Sequence, residues 1–276
     1  MEGNFSKHLW DGELMDRCGL EEQVMMTKSI KLTNFFMENR KVALAFSGGT
    51  DSSLLLSYGK QANCDIRPYF VKAAFQPEFE LDDAKRLCEE LGIGLSVIEL
   101  DIFTCEEVIK NPRNRCYFCK QQIFSNLIER AKKDGYSTII DGTNASDDSA
   151  DRPGMLALKE LSVFSPLKEC GISKDEVRAL SRQAGLFTAD KPSYACLATR
   201  IPTGTKITGI ALEAAENSEK RLLELGFSNL RVRVLGSMAK LQVPKEQFDE
   251  AIGMNDQIVD ALSEYFTDVV LDLKPR

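Results

Sequence analysis

Residues 42–46 (VALAF) form an apolar run that passes directly into SGGTDSS (47–53) and then LLL (54–56). This junction constrains the fold more than any other stretch. Five successive apolar residues predict a short strand buried on both faces of a parallel sheet. The helix that follows leaves only a few residues for the turn. Gly48 and Gly49 can take positive φ and let a bulky anion approach the backbone. Ser47, Thr50, Ser52 and Ser53 supply hydroxyl donors. The helix, expected to begin near Ser52, turns free N–H groups and a positive dipole end toward the loop. The alternative is a plain glycine turn; the combined features predict a phosphate cradle at the carboxyl edge of an open α/β sheet. Asp51 is placed either to cap the helix or to help hold Mg²⁺. Neither the Walker spacing with its lysine nor Gly-x-Gly-x-x-Gly is present. A cradle of hydroxyls and amides suits a pyrophosphate leaving group better than γ-phosphoryl transfer.

The surrounding chain alternates in the manner of an α/β fold. A helix is expected over 20–40, strands near IRPYFVKAAF, LSVIELD and STIIDG, and helices at LDDAKRLCEELG, KQQIFSNLIERAKKDG and SKDEVRALSRQAG. The segment 186–208 is rich in Pro, Gly, Ser and Thr and reads as a long functional loop. Beyond it a smaller α+β unit is expected: a helix IALEAAENSEKRLLELG, strands LRVRVL and AKLQVP, a helix from Lys245 and a last strand TDVVLDL. The resulting division is an extension 1–19, a nucleotide domain 20–200 and a C-terminal domain 201–276 for substrate binding or oligomerisation.

Eight cysteines accompany a single histidine, His8. The polar, acidic start has no signal-peptide pattern and no apolar run is long enough to span a membrane, so a cytoplasmic protein is expected. In that setting, close-spaced cysteines read as metal-binding or catalytic. Cys116 and Cys119 form a Cys-x-x-Cys, which by itself reads equally as a redox pair or as two incidental cysteines. Cys196 adds a third thiol. Arg115, Lys120 and Arg200 flank these cysteines and favour thiolate. Three cysteines without a fourth ligand predict a 4Fe–4S cluster with one iron open to bind and deliver sulfide. Cys64, Cys88, Cys105 and Cys170 are expected to be small core residues, and Cys18 has no assigned role. The net charge of −7 argues against a large nucleic-acid footprint.

The loop SGGTDS resembles the PP-loop of the N-type ATP pyrophosphatases. That resemblance implies an adenine nucleotide α-hydrolase-like sheet, cleavage of ATP between its α and β phosphates, and adenylation of a substrate oxygen. A nitrogen or sulfur nucleophile then displaces AMP. Three further stretches, DGTNASDDSADRPG (141–154), CLATRIPTGTKIT (196–208) and LGFSNLRVRVLG (225–236), extend the resemblance to the LarE family of sulfurtransferases. These act on a pyridinium-3,5-biscarboxylic acid mononucleotide during nickel-pincer cofactor biosynthesis. The resemblance implies ATP and Mg²⁺, the mononucleotide and a sulfur donor as partners, and a homo-oligomer. It implies Arg231 and Arg233, two residues apart on one strand face, as phosphate ligands. Arg200, Glu219 and Asp256 join them as further substrate or metal contacts. Gln242 stands where the family has a carboxylate, and Arg152 is expected to organise the 141–154 loop.

One branch of that family gives up the sulfur of a single cysteine, at the position of Cys196. The added Cys116 and Cys119 favour a cluster over that sacrificial route. The competing readings are a PP-loop tRNA thiolation enzyme, an ammonia-using amidotransferase or NAD synthetase relative, and a nucleotide sensor with a cysteine redox switch.

Overall fold

The structure, a computed structural model, describes residues 20–147 and 153–276. The expected extension 1–19, with His8 and Cys18, and the expected role of Arg152 lie outside the described residues. The first unit contains α1 (Leu20–Glu38), β1 (Lys41–Ala45), α2 (Thr50–Gln61), β2 (Asp65–Lys72), α3 (Glu78–Leu91) and β3 (Ser96–Glu99). It continues through α4 (Glu106–Ile109), α5 (Arg115–Lys133), β4 (Thr138–Ile140), α6 (Pro153–Glu160), α7 (Pro166–Glu169) and α8 (Lys174–Gln183). The second contains α9 (Gly209–Glu224), β5 (Arg231–Leu235), β6 (Met238–Gln242), α10 (Phe248–Gly253), α11 (Asn255–Leu262) and β7 (Asp268–Leu271).

The strands of the first unit form a parallel sheet in the order β3-β2-β1-β4. Val42, Ala43 and Leu44 of β1 are wholly buried. Val42 and Leu44 pack with residues of α1, α2, α3 and α8, while Ala43 packs with Phe124, Leu127 and Ala131 of α5 and Leu158 of α6. Alternating side chains therefore serve two helical layers, which explains the unbroken apolar run. The chain leaves β1 toward β2 and β3, then crosses to β4 on the other side. The carboxyl ends of β1 and β4 consequently flank a topological switch point, where open α/β sheets leave a crevice.

In the second unit β5 pairs antiparallel with β6, and β6 pairs parallel with β7, making a small mixed sheet. Its apolar cluster also takes in Ala73, Phe75, Ile102, Val108, Leu197 and Ala198 from the first unit. The two sheets thus meet through a common core at the cysteine end of the molecule. Among the described residues, no helix is long and apolar enough to cross a membrane.

Local structure departs from the expectations at four places. α2 starts at Thr50 rather than Ser52. α5 starts at Arg115, so Cys116 and Cys119 stand in the first turns of a 19-residue helix and not in a loop before it. No glycine or proline stands between Pro112 and Arg115, and Asn111, at φ 54°, breaks the chain before that helix. The short helices α4, α6 and α7 carry too few turns to show a periodicity. The single helix expected from Lys245 is a 3-10 turn followed by α10 and α11, which part at Gly253 and Met254.

Candidate functional site

The loop after β1 is held by backbone geometry. Gly48 has φ +68°, and a Cβ there would stand 2.7 Å from the Glu80 carbonyl oxygen and 3.0 Å from the Ala84 nitrogen of α3. Only glycine fits both the conformation and the contact. Gly49 is the N-cap of α2 and contributes no side-chain cap. The Ser47 and Ser52 hydroxyls are 3.3 Å apart, and the Gly49 N–H donates to Ser47 Oγ at 3.3 Å. Two expected cradle hydroxyls are used elsewhere. Thr50 Oγ1 donates to the Thr188 carbonyl at 2.9 Å, tying this loop to the 186–208 segment. Ser53 Oγ is buried inside the protein without a hydrogen-bond partner.

Asp51 lies in the first turn of α2 and does not cap it. Asn144 Nδ2 donates to its Oδ1 at 3.0 Å, and the Lys174 ammonium pairs with its Oδ2. Lys174 is delivered by the first turn of α8, whose start is fixed by a capping box between Ser173 and Glu176. The loop after β4 comes equally close: a Cβ on Gly142 would stand 3.1 Å from the Ser52 nitrogen. Asp141 beside it is buried and accepts from Thr143 Oγ1 at 2.5 Å and Ser165 Oγ at 2.7 Å. Lys174 has no functional signature of its own in the sequence. Its one signal was Ser-x-x-Glu, a capping-box spacing, at the head of SKDEVRAL.

Two clefts open here. The larger, about 730 Å³, is bounded by Ser47, Asp51 and Ser52, by Asp141 and Gly142, and by Cys116, with Phe70, Phe124 and Leu127 at its apolar end. The smaller, about 270 Å³, is bounded by Ser47, Gly49 and Asp51, by Glu80, Lys174 and Lys191, and by Tyr194 and Cys196. Ser47, Asp51 and Gln76 form a wall common to both. Gly48, Ser53 and Cys119 border neither cleft.

The three cysteines come together around Arg115. Its Nη2 lies 4.0 Å from the sulfurs of both Cys116 and Cys196, while Nη1 donates to Asn111 Oδ1 at 2.7 Å and the Ala198 carbonyl at 3.0 Å. Cys116 is exposed; Cys119 and Cys196 are half-buried. Burial pushes the Cys119 thiol up to about 12, with the Cys196 and Cys116 charges adding and Arg115 opposing. Burial also raises Cys196, again opposed by Arg115. Cys116 stands at the amino end of α5 and is the most exposed of the three. Among the described residues, no three Cys, His, Asp or Glu side chains gather tightly enough for one metal ion. Of the cysteines expected in the core, Cys64 and Cys88 are buried, whereas Cys105 and Cys170 are only half-buried.

The Cys196 loop is held by side chains. Arg200 Nη1 donates to the carbonyls of Ala195 at 2.7 Å and Cys196 at 3.4 Å. Arg231 Nη2 donates to the Ser193 carbonyl at 3.0 Å, and Arg233 Nη1 to that of Thr199. Arg200 is 0% exposed and forms a two-bond ion pair with Glu219, at 2.8 and 2.9 Å. Glu219 also accepts from Tyr194 Oη at 2.5 Å and the Val232 N–H at 2.9 Å. A substrate cannot reach Arg200 or Glu219 without breaking this buried pair, so their expected contact role gives way to support of the Cys196 loop. Arg231 and Arg233 border neither cleft. Burial, with Arg200 and Arg276 nearby, pushes the Arg231 guanidinium down to about 10. Asp256 is exposed on the first turn of α11, apart from both clefts. Gln242 accepts from Arg233 Nε at 2.8 Å and donates to Asp272 at 2.8 Å.

No protein-family model matches the chain. It is 34% identical to an uncharacterized protein of Synechocystis sp., over 91% of this chain and 95% of the relative. It is 29% identical to the pyridinium-3,5-bisthiocarboxylic acid mononucleotide synthase of Lactiplantibacillus plantarum, over 90% of this chain and 91% of the relative. A third similarity, 28% identity to the tRNA-specific 2-thiouridylase MnmA of Rhizobium rhizogenes, spans 56% of this chain and 49% of that protein.

Proposed function

Because this chain belongs to the LarE family of PP-loop sulfurtransferases, we propose that it uses ATP to activate a carboxylate of a pyridinium mononucleotide and replaces the AMP with sulfur. One observation carries the reading: the PP-loop wall of Ser47 and Asp51 is common to two clefts, one holding Cys116 and the other Cys196. Activation and sulfur delivery therefore work on the two sides of one loop.

ATP lies in the larger cleft with its base toward Phe70, Phe124 and Leu127 and its phosphates on the amino end of α2. The Lys174 ammonium neutralises the pyrophosphate, and the Asp51 carboxylate it leaves is the residue that would hold Mg²⁺. A substrate carboxylate oxygen attacks the α-phosphorus, the bond to the β-phosphate bridge breaks, and pyrophosphate departs. The acyl-adenylate carbonyl then faces the thiols. Sulfur attacks that carbon, the acyl–phosphate bond breaks, and AMP leaves, giving a thiocarboxylate. A biscarboxylic substrate requires the cycle twice. Arg200 and Arg231 are buried and Arg233 is half-buried, with Glu219 the buried carboxylate among them. A substrate phosphate at Arg231 and Arg233 would balance that charge.

Cys116, Cys119 and Cys196, gathered about Arg115, are the residues that would hold a 4Fe–4S cluster. A 4Fe–4S cluster on these thiols, when bound, supplies sulfide for the transfer. Arg115 then serves as the counter-charge for Cys116 and Cys196. Exposed apolar side chains of the C-terminal unit, Ile210, Ile252 and Leu273 among them, support assembly into a homo-oligomer.

The test is anaerobic preparation of the wild type and Cys116→Ala, with iron and sulfide analysis and assay with ATP and pyridinium-3,5-biscarboxylic acid mononucleotide. The expected result is AMP and pyrophosphate release that depends on the mononucleotide, a thiocarboxylate product, and iron lost in Cys116→Ala. An iron-free wild type that thiolates once while Cys196 loses its sulfur overturns the cluster. Thiolated tRNA as the product overturns the substrate.

A further inference from the structure

One face of α5 runs along the larger cleft. Cys116, Lys120, Ile123, Phe124 and Leu127 all border it, and steps of three and four residues keep them on one side of the helix. At the helical rise, Lys120 stands about 6 Å along the axis from Cys116 and about 6 Å from Phe124. From the amino end, the stripe therefore runs thiol, cation, apolar wall. The reaction proposed above sets out its parts in the same order: sulfur, acyl–phosphate junction, adenine.

Lys120 differs from the other lysines of this helix. Lys132 and Lys133 are exposed at its far end, whereas Lys120 is half-buried. Its stem lies across Gly154 of α6: a Cβ on Gly154 would stand 3.0 Å from Lys120 Cδ and 3.2 Å from Cε. Because α6 packs along α5, the stem is held against the cleft wall. Among the described residues that line the larger cleft, Lys120 is the only one with a positive charge, beside the carboxylates of Asp51, Asp141 and Asp147. Lys174 and Lys191 border the smaller cleft instead, and the thiols have their own counter-charge in Arg115. Cations thus stand on both sides of the PP-loop wall. In the reaction proposed above, cleavage between the α and β phosphates leaves an anion on each side: pyrophosphate toward Lys174, and AMP in the larger cleft with Lys120.

We propose that Lys120 holds the α-phosphate of ATP and stabilises AMP as the leaving group when sulfur is inserted. The inference rests on the sulfur-transfer reading above. In the acyl-adenylate the α-phosphate carries one negative charge. When sulfur attacks the acyl carbon, a carbon–sulfur bond forms and the bond from that carbon to the phosphate oxygen breaks. Its electron pair stays with the oxygen, so AMP departs as a dianion. The new charge meets the Lys120 ammonium, which keeps its proton throughout. Adenylation adds no net charge to the α-phosphate, so Lys120 acts more strongly on the second step than on the first.

Lys120→Met keeps an apolar stem on Gly154 and removes the charge. Lys120→Gln is a second neutral variant, and Lys120→Arg restores a cation. Calorimetry on the anaerobically prepared full chain compares AMP with adenosine, which lacks the phosphate. Wild type is expected to bind AMP more tightly than adenosine. In both neutral variants AMP affinity should fall at least about tenfold while adenosine affinity and melting temperature match wild type, and Lys120→Arg should recover part of the loss. Unchanged AMP affinity in the neutral variants, or equal losses for AMP and adenosine, overturns the proposal. In single turnovers with ATP, the mononucleotide and sulfide, Lys120→Met should slow AMP release at least about tenfold more than pyrophosphate release. Equal slowing of the two overturns the leaving-group role. The AMP and adenosine comparison needs neither the mononucleotide nor a sulfur donor, so failure there is distinct from failure of the proposed reaction.

Discussion

The two loops that meet at this site are built on opposite principles. The loop after β1 is fixed by its own backbone: Gly48 at φ +68° lies against α3, and the amino end of α2 faces the clefts. The Cys196 loop is held by side chains instead. Arg200 within it, and Arg115, Arg231 and Arg233 from other elements, donate to its carbonyls. A phosphate cradle needs N–H groups in a fixed array, which a short turn supplies. A thiol that must be held and charge-tuned while its loop stays adjustable is better served by charged side chains. The comparison makes a strong claim: damage to one loop should leave the other working.

The largest effect is expected from Glu219→Gln. It leaves the wholly buried Arg200 charge without its counter-charge, and breaking a buried pair in this way costs about 3–5 kcal/mol. Denaturant unfolding checks the loss. At temperatures where the variant remains folded, Cys196 should alkylate faster than in wild type while ATP affinity stays within about threefold, no more than one hydrogen bond's worth. A large loss of ATP affinity would break the comparison.

Gly48→Ala is the reciprocal variant. The αL conformation costs an L-residue about 1–2 kcal/mol, and the added Cβ meets backbone atoms of α3 that cannot swing away. ATP affinity should fall by at least about tenfold, or about 1.4 kcal/mol, measured by calorimetry. Cys196 alkylation in the absence of ATP should be unchanged.

This difference in construction also decides what the chain reveals before folding. The strand, the cradle and the α/β alternation are legible because their determinants lie within a few residues: five apolar positions, two glycines and a run of hydroxyls. The gathering of Cys116, Cys119 and Cys196 is legible only by residue type, since no local rule brings α5 to the 186–208 segment. The arginines were visible as residues, but their partners were not. Arg200 meets Glu219 on α9, and Arg231 meets Ser193 across a domain boundary placed near residue 200. Long-range burial makes Arg200 and Glu219 a support for the Cys196 loop. The sequence context of Cys105 predicts a small core residue, whereas capping a four-residue helix leaves it half-exposed.

Thr50→Val addresses the link between the loops. Thr50 Oγ1 donates to the Thr188 carbonyl at 2.9 Å, and valine keeps the shape while removing the donor. Loss of one such bond costs about 0.5–1.5 kcal/mol. In wild type, ATP is expected to slow Cys196 alkylation by tightening the PP-loop against the segment before Cys196. In Thr50→Val that protection should weaken while ATP still binds. Undiminished protection would place the coupling elsewhere along the common wall.

The pH-dependent effect belongs to Glu80, which touches both loops: its carbonyl packs on Gly48, and its side chain borders the cleft of Cys196. Burial pushes its carboxyl up from 4.5 to about 7, with Lys191 and Arg200 opposing and Asp83 adding. The folded protein therefore holds a proton that the unfolded chain has released between those two values. Stability contributed by this group falls as pH rises through that window, and the deficit is constant above it. Glu80→Gln removes the ionisation and keeps the shape. Its melting temperature should match wild type near pH 4.5, rise above it progressively toward pH 7, and stay above it at pH 8. Parallel melting curves across that range would show that the Glu80 carboxyl titrates alike in the folded and unfolded chain, and that solvent in the smaller cleft, rather than the packing of α3 on the PP-loop, governs its charge.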